Sequence, residues 1–346
     1  MKIIGCDFHP AWQQVAVLDN ETGEIAELKL LHEEGEAERF YSALPRPTLI
    51  GIEATGNCQW FLDMLQRFGH EVWLGDAAEI RASYVRKQKT DRRDAGHILR
   101  LLVEGRFPRL WTPSAEERNL RQLLIHRQKQ VEIRTRVKNG LQHLAMNRGL
   151  QKKRKLWSAK GRTDLEKLAL EGWAARRRED LLGLLNQLDK QIGELDEAVK
   201  GAAQLHSQAR LLMTQPGVGP ITALAFALTI GDVSRFRRSK QVSSYLGLIP
   251  RERSSGGKQK FGSISRQGNS FVRMLLVEAA QATNQWDESF RKQYVARCHH
   301  KPKALAKVAS ARRLAVRLYW MLRTNTPYPE IARIEGSPGV GMVSEW

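Results

Sequence analysis

Only three cysteines occur in the 346-residue sequence, Cys6, Cys58 and Cys298, and they lie far apart. With no paired spacing among them, neither a disulfide framework nor a zinc knuckle is indicated. Cys298 is followed by His299 and His300, which read as a solvated helix end or loop rather than a metal site. No apolar run reaches the roughly 18–20 residues that a membrane span needs. The opening MKIIGCDFHP lacks the charged-then-apolar layout of a signal peptide and reads as a first strand. The expectation is a cytosolic chain.

Acidic residues are in deficit: 37 Asp/Glu stand against 56 Lys/Arg, a formal net charge of +19. The deficit is uneven, because residues 1–85 carry 14 Asp/Glu and 6 Lys/Arg. An acidic first domain joined to a strongly basic remainder fits a carboxylate-rich site served by a polyanion-binding body. Membrane-surface binding would need a basic amphipathic helix with a large apolar face, and none stands out.

Three β-rich runs at 2–8, 12–19 and 25–31 precede a helical stretch at about 34–44 and a buried-strand pattern, TLIGIEATG, at 48–56. An amphipathic helix at about 58–69, a strand at 71–75 and a helix through KTDRRDAGHILRLLVEG follow. A strand meander followed by alternating helix and strand predicts an α/β domain with a mixed sheet, over residues 1–114. From about 115 the pattern turns to long helices. Leu181, Leu185, Leu188, Ile192, Leu195 and Val199 form a heptad seam, predicting a coiled-coil hairpin over 115–204 with its first helix at about 115–147. Within it, residues 151–178 hold 10 Lys/Arg against 3 Asp/Glu, with Trp157 and Trp173 interleaved. This reads as a nucleic-acid-contacting or partly disordered insertion, or as a plain solvated linker.

Residues 205–326 form a third, mainly helical region. In QPGVGPITALAFALTIGD, Gly217 and Gly219 precede Pro220 at a helix start. This helix-hairpin-helix pattern exposes backbone N–H groups suited to phosphate, although a tight interhelical turn needs glycine in any case. Further helices are expected at about 269–284 and 302–324, and a flexible tail without periodicity at 327–346.

Asp7 ends the first strand, Glu53 lies late in a buried strand, and Asp91 and Asp94 are three apart on one helix face. An unpaired buried carboxylate is costly, so something cationic should compensate. Taken singly, each acid has an ordinary structural explanation; Asp91 and Asp94, for example, complement a helix dipole and pair with Arg92 or Arg93. Together, converging from two strands and a helix, four oxygen ligands suit Mg²⁺.

IGCDFH, GIEATG and KTDRRDA together resemble the RuvC-like DEDD domain of a family of bacterial insertion-sequence transposases, some of whose members are recombinases guided by a structured bridge RNA. QPGVGPITALAFALTIGD and SYLGLIPRERSSGGKQKFGSISRQGN resemble that family's C-terminal transposase domain. The resemblance implies an RNase H/RuvC-like fold for the first domain and a Mg²⁺-binding tetrad of Asp7, Glu53, Asp91 and Asp94. It places the serine nucleophile on Ser255, with Ser254 adjoining it as a departure. It further implies a coiled-coil dimerisation element, DNA partners at element ends and target, a guide RNA, and a location at the bacterial nucleoid. Around Ser255, Gly256 gives access, and Arg251, Arg253, Lys258, Lys260 and Arg266 are the cations nearest a bound phosphate. The implied reaction cuts and rejoins DNA through a phosphoserine link, as a homodimer or, with two duplexes, a tetramer. A metal-dependent nuclease using water, or a non-catalytic nucleic-acid-binding protein, are the alternatives.

Overall fold

A computed structural model describes residues 1–84, 91–151, 155–252 and 260–335. The chain divides into two compact units, Met1–Thr112 and Pro113–Trp346.

The first unit is built on a five-stranded sheet. Strands β1 (Lys2–Phe8), β2 (Trp12–Asp19) and β3 (Ile25–Leu31) form an antiparallel meander. Helix α1 (Glu36–Ser42) leads to β4 (Leu49–Glu53), which pairs parallel to β1. Helix α2 (Gln59–Arg67) then carries the chain to β5 (Glu71–Gly75), parallel to β4. The strand order is β3-β2-β1-β4-β5, the mixed sheet that the sequence pattern predicts. Helices α3 (Ala77–Ala82) and α4 (Asp91–Val103) complete the unit.

Strand alternation divides the core. Ile4, Cys6 and Phe8 of β1 and Ile50 and Ile52 of β4 bury themselves with Tyr41 of α1 and Phe61 and Leu65 of α2. Ile3 faces the other way, into a cluster with Ala95, Ile98, Leu99 and Leu102 of α4. Between the two layers of this second cluster lies Gly5. A Cβ there would sit 2.3 Å from the Ala95 carbonyl oxygen and 2.4 Å from the Leu99 amide nitrogen. The absence of a side chain is what lets α4 rest its backbone on β1.

The second unit begins with α5 (Ala115–Met146), started by a capping box in which Ser114 and Glu117 exchange side-chain-to-backbone bonds. Helix α6 (Ala159–Glu166) and α7 (Gly172–Leu205) follow. Arg127 pairs with Asp196 and Arg134 with Asp189, so α5 and α7 run antiparallel. Leu185, Leu188, Ile192 and Val199 of the heptad seam are buried. At its start Leu182 is the buried residue, and Leu181 only packs against the same cluster; there α6 adds Leu165, widening the apolar wall. The basic 151–178 stretch therefore contains a helix and buries Leu156 and Leu165, while its Trp173 is 88% exposed.

Helices α8 (Ser207–Leu212), α9 (Pro220–Ile230) and α10 (Ser239–Tyr245) precede a ribbon of β6 (Pro250–Glu252) and β7 (Phe261–Ile264). Then come α11 (Ser270–Trp286), α12 (Glu288–His300), α13 (Lys303–Thr324) and α14 (Tyr328–Glu335). Helix α9 is buried on every side from Thr222 to Ile230, as a helix apolar all round requires. Deep in this unit Arg317 donates to Asp287 at 2.6 Å and to Gln215 at 3.3 Å, and the Tyr328 hydroxyl donates to Asp287 at 3.1 Å. Burial pushes the Asp287 carboxyl up, but the Phe290 amide, Arg317 and Tyr328 together hold it below the usual range. The expectation of a tail without regular structure from residue 327 is corrected by α14. Ile331 is fully buried, and that apolar anchor with the Tyr328 bond docks the helix. Residues 336–346 lie outside the described ones.

Replacing Gly5 by alanine should cost about 2–3 kcal/mol, because the new methyl meets helix backbone rather than a movable side chain. A denaturant midpoint unchanged from wild type would contradict this.

Candidate active site and its family

The register of β1 against β4 pairs Cys6 with Ile52. Asp7 and Glu53 each follow by one residue, so they lie side by side on adjacent parallel strands, on the face occupied by Ile3, Gly5 and Gly51. That face is the one α4 covers, and α4 brings Asp91 and Asp94 in its first turn. Asp94 is 4% exposed, the Asp7 side chain 15% and the Asp91 side chain 51%. Burial pushes the Asp7 carboxyl above its ordinary range, and the charges of Asp94 and Asp91 add to the rise against an opposing pull from His9. Arg92, between the two aspartates, pairs with Glu27 of β3.

Three side chains escape the sequence reading. His9 places Nε2 3.3 Å from Asp7 Oδ2 and 3.9 Å from Asp91 Oδ1, with its ring stacked on Trp12 at 4.2 Å. Ligand atoms of Asp7, His9 and Asp91 all lie within 4.8 Å of one another. The Tyr84 hydroxyl donates to Asp94 Oδ1 at 2.6 Å. Burial and then the Asp94 carboxylate push this phenol well above its ordinary range, with Glu53 and Asp7 contributing, so it stays a donor. Tyr84 stacks on His97 at 4.0 Å. Burial and Arg100 lower the His97 pKa, leaving the ring neutral. Its Nδ1 lies 2.6 Å from Arg100 Nη2 and accepts from it, so Nε2 is assigned the proton and donates to Ser83 Oγ at 2.7 Å. The order of support is His97 to Tyr84 to Asp94.

Carboxylates gathered on one face, each raising the cost of ionising its neighbours, suit a divalent cation. Asp7, Asp91 and Asp94, with Glu53 beside Asp7, supply hard oxygen donors, and His9 adds one imidazole nitrogen. The nitrogen also admits borderline metals such as manganese.

In the second unit, Gly217 has φ +87° and turns its Cα toward α11; a Cβ would approach the Thr283 amide nitrogen to 2.5 Å. Packing against α11 therefore accounts for this glycine. Gly219 is exposed, stands at the N-cap of α9 with no side-chain cap bond and precedes Pro220. Strands β6 and β7 flank residues 253–259. Arg253, Ser254, Ser255, Gly256 and Lys258 lie outside the described residues. Arg251, Lys260 and Arg266 are exposed at the ribbon. Arg251 donates to the Ser265 carbonyl at 3.1 Å, and Arg266 has φ +58°. The ribbon base is closely packed: a Cβ on Gly247 would meet Gln267 oxygen at 2.2 Å, and one on Gly268 would meet Tyr245 oxygen at 2.1 Å.

Two family models match the chain. A DEDD transposase model matches residues 4–146, and the model described as Transposase IS116/IS110/IS902 family matches residues 209–295. The chain belongs to this transposase family. A Coxiella burnetii "Transposase for insertion sequence element IS1111A" is 32% identical over 238 residues, covering 67% of this chain and 64% of its own. The "Probable family 20 transposase" of Pseudomonas aeruginosa is 28% identical, over 81% of this chain and 83% of its own. The "Pilin gene-inverting protein" of Moraxella bovis is 26% identical over 92% of each chain. This transposase is accordingly an enzyme that acts on DNA, cleaving and rejoining strands. Asp7, Glu53, Asp91 and Asp94 all fall within its first matched segment, and Gly217, Gly219 and the ribbon within its second. Among the described residues, no helix is long and apolar enough to cross a membrane.

A carboxyl held above its ordinary range favours folding while protonated, and that contribution is lost as pH rises through the raised value. At neutral pH the ionised Asp7 therefore costs stability in metal-free protein. Asp7→Asn should raise the Tm of the metal-free transposase at neutral pH, the gain vanishing below about pH 4, where wild-type Asp7 is itself protonated. The same substitution should cut strand cleavage by more than about 100-fold. A lowered Tm at neutral pH, or full cleavage activity, would contradict this account. Tyr84→Phe should weaken divalent-metal binding about tenfold with little change in stability, as loss of a bond that orients a ligand does. Titration calorimetry with Mn²⁺ reads this directly, and an unaltered affinity would remove Tyr84 from the site.

Proposed function

We propose that this chain is the recombinase of an insertion sequence and exchanges DNA strands by Mg²⁺-dependent phosphoryl transfer with Ser255 as nucleophile. The observation carrying the metal half is the convergence of Asp7, Asp91 and Asp94 on one face, with Glu53 on the neighbouring strand. The serine half rests on the resemblance of RERSSGGK and its context to the family's nucleophile loop. Bound Mg²⁺ would neutralise charge on the scissile phosphate.

In the proposed reaction the Ser255 oxygen forms a bond to phosphorus and the bond to one deoxyribose oxygen breaks, that oxygen taking up a proton. The phosphoserine link keeps the energy of the broken phosphodiester, so a second DNA hydroxyl attacking it rejoins strands without ATP. A serine hydroxyl is a weak nucleophile at its free pKa and needs activation, and no histidine lies near Ser255 in sequence. The cations Arg251, Arg253, Lys258, Lys260 and Arg266 would hold the phosphate, and Gly256 would admit its close approach. Amides after Gly219, with the Gly217 turn behind them, would contact backbone phosphates. Target choice falls to a structured guide RNA in this reading. The α5–α7 pair would serve as a coiled-coil dimer element, and two dimers would hold two duplexes.

The test is incubation of the full chain with element-end DNA and Mg²⁺, followed by denaturation and a search for protein covalently joined to DNA. Wild type and Ser254→Ala should give the adduct and Ser255→Ala should not, with activity reduced by more than about 1,000-fold. Cut DNA with no adduct from wild type would instead assign metal-activated water as the nucleophile.

A further inference from the structure

Residues of α10, α12 and α13, and none of the ribbon, line a polar pocket of about 290 Å³. Five cations line it: Lys240 from α10, Arg297 and Lys301 from α12 and the residue after it, and Arg312 and Arg313 from α13. On α13 the lining positions are 309, 312, 313 and 316, the spacing of a single helix face, where a core-facing stripe would ordinarily be apolar. Here its middle is two arginines. No carboxylate lines the pocket, and among the described residues none forms an ion pair with Lys240, Arg297, Lys301 or Arg312. A concave surface lined by one sign of charge concentrates potential and attracts the opposite ion.

Two donors are left without partners inside it. Ser243 is 0% exposed, lines the pocket, and its Oγ has no hydrogen-bond partner. Arg297 has one polar contact, from Nη2 to Gln293 at 3.4 Å, while its buried Nη1 has none. Burial depresses the Arg297 pKa with no opposing charge to offset it. Native interiors rarely leave such donors unmet. A folded protein that gathers like charges around buried, unfilled donors has arranged them for a ligand that brings both negative charge and several acceptor oxygens.

We propose that this pocket is a binding site for a backbone phosphodiester of a nucleic-acid strand, separate from the ribbon and from the carboxylate site. Guanidinium forks match tetrahedral oxyanions in geometry, and the Ser243 hydroxyl would complete the set as a neutral donor. The strand identity rests on the enzyme acting on nucleic acid; the anion site rests on the pocket alone. Contacts of this kind carry no base information and fix the strand's position.

The experiment measures binding of the full chain to a mixed-sequence duplex DNA and to a single-stranded RNA of equal length, over a series of salt concentrations. Arg297→Gln combined with Arg312→Gln should weaken binding about tenfold irrespective of sequence. It should also reduce the slope of log K against log salt by about 1. Ser243→Ala should weaken binding less and leave the slope unchanged. Loss confined to the duplex assigns DNA as the ligand, and loss confined to the single strand assigns RNA. Lys240→Gln with Lys301→Gln, both exposed positions, repeats the test without touching buried atoms. Inorganic phosphate should raise the Tm of wild type and not of the arginine variant. Unchanged affinity and slope in both charge variants would overturn the site. Covalent adduct formation by wild type is scored in parallel: a normal wild-type adduct with unchanged binding by the charge variants refutes the pocket alone, whereas wild type that cuts DNA without an adduct, with the predicted loss of binding in the variants, refutes the serine chemistry alone.

Discussion

The carboxylate site depends on one close approach, the backbone of α4 against β1 at Gly5. Asp91 and Asp94 are on α4 and Asp7 is two residues beyond Gly5, so the helix's distance from the strand sets the separation of the acids. Bringing like charges together opposes that approach. At about 4 Å two charges repel by roughly 1 kcal/mol in water and about 4 kcal/mol near a protein surface. On the other side of the balance, Ile98, Leu99, Leu101 and Leu102 are each almost fully buried, at roughly 1.5–3 kcal/mol apiece. The apolar contact outweighs the repulsion, and the fold holds in place an arrangement that the carboxylates alone would disperse.

That balance explains why some of the site is legible in sequence and some is not. An acid at the end of a run such as IIGCD or LIGIE conflicts with its apolar neighbours, and the conflict is visible along the chain. The parallel pairing of β1 with β4 then follows from ordinary α/β topology. His9, Tyr84 and His97 conflict with nothing in their local sequence. Tyr84 reaches Asp94 and His97 because α3 and α4 fold back on one another, a tertiary fact with no periodic signature. His9 sits beside Asp7 in HP, which is compatible with a simple strand end. Such supporting residues become visible only when contacts are formed, even though His97 is three residues from Asp94.

Helical elements show the same division. The heptad seam of α7 is legible because its period is long, yet its first member shifts from Leu181 to Leu182 where α6 adds an apolar wall. The period of a straight helix is not the heptad period, and a local neighbour decides the phase. Helix α14 gives no signal in sequence because its described anchors are Ile331, fully buried, and Tyr328, bonded to Asp287 and Thr214. Two positions three residues apart leave no repeat for a pattern to detect.

Arg317 and Arg312 lie five residues apart on the same helix and show two uses of one side chain. Arg317 is buried and its charge is satisfied within the fold by Asp287, with Gln215 and Tyr328 completing the group. Removing one partner from such a pair strands a charge, so the pair is a structural commitment even if its net contribution is small. Arg312 opens on the cationic pocket and is ion-paired with no carboxylate among the described residues. If stability alone governed this face, an acid within reach of Arg312 would lower the repulsion among its neighbours. Leaving it out keeps the field directed outward, where a polyanion can meet it. A reaction that trades one phosphodiester for another needs little energy from the protein and much positioning, and fixed cations away from the reacting bond supply positioning without competing for the metal.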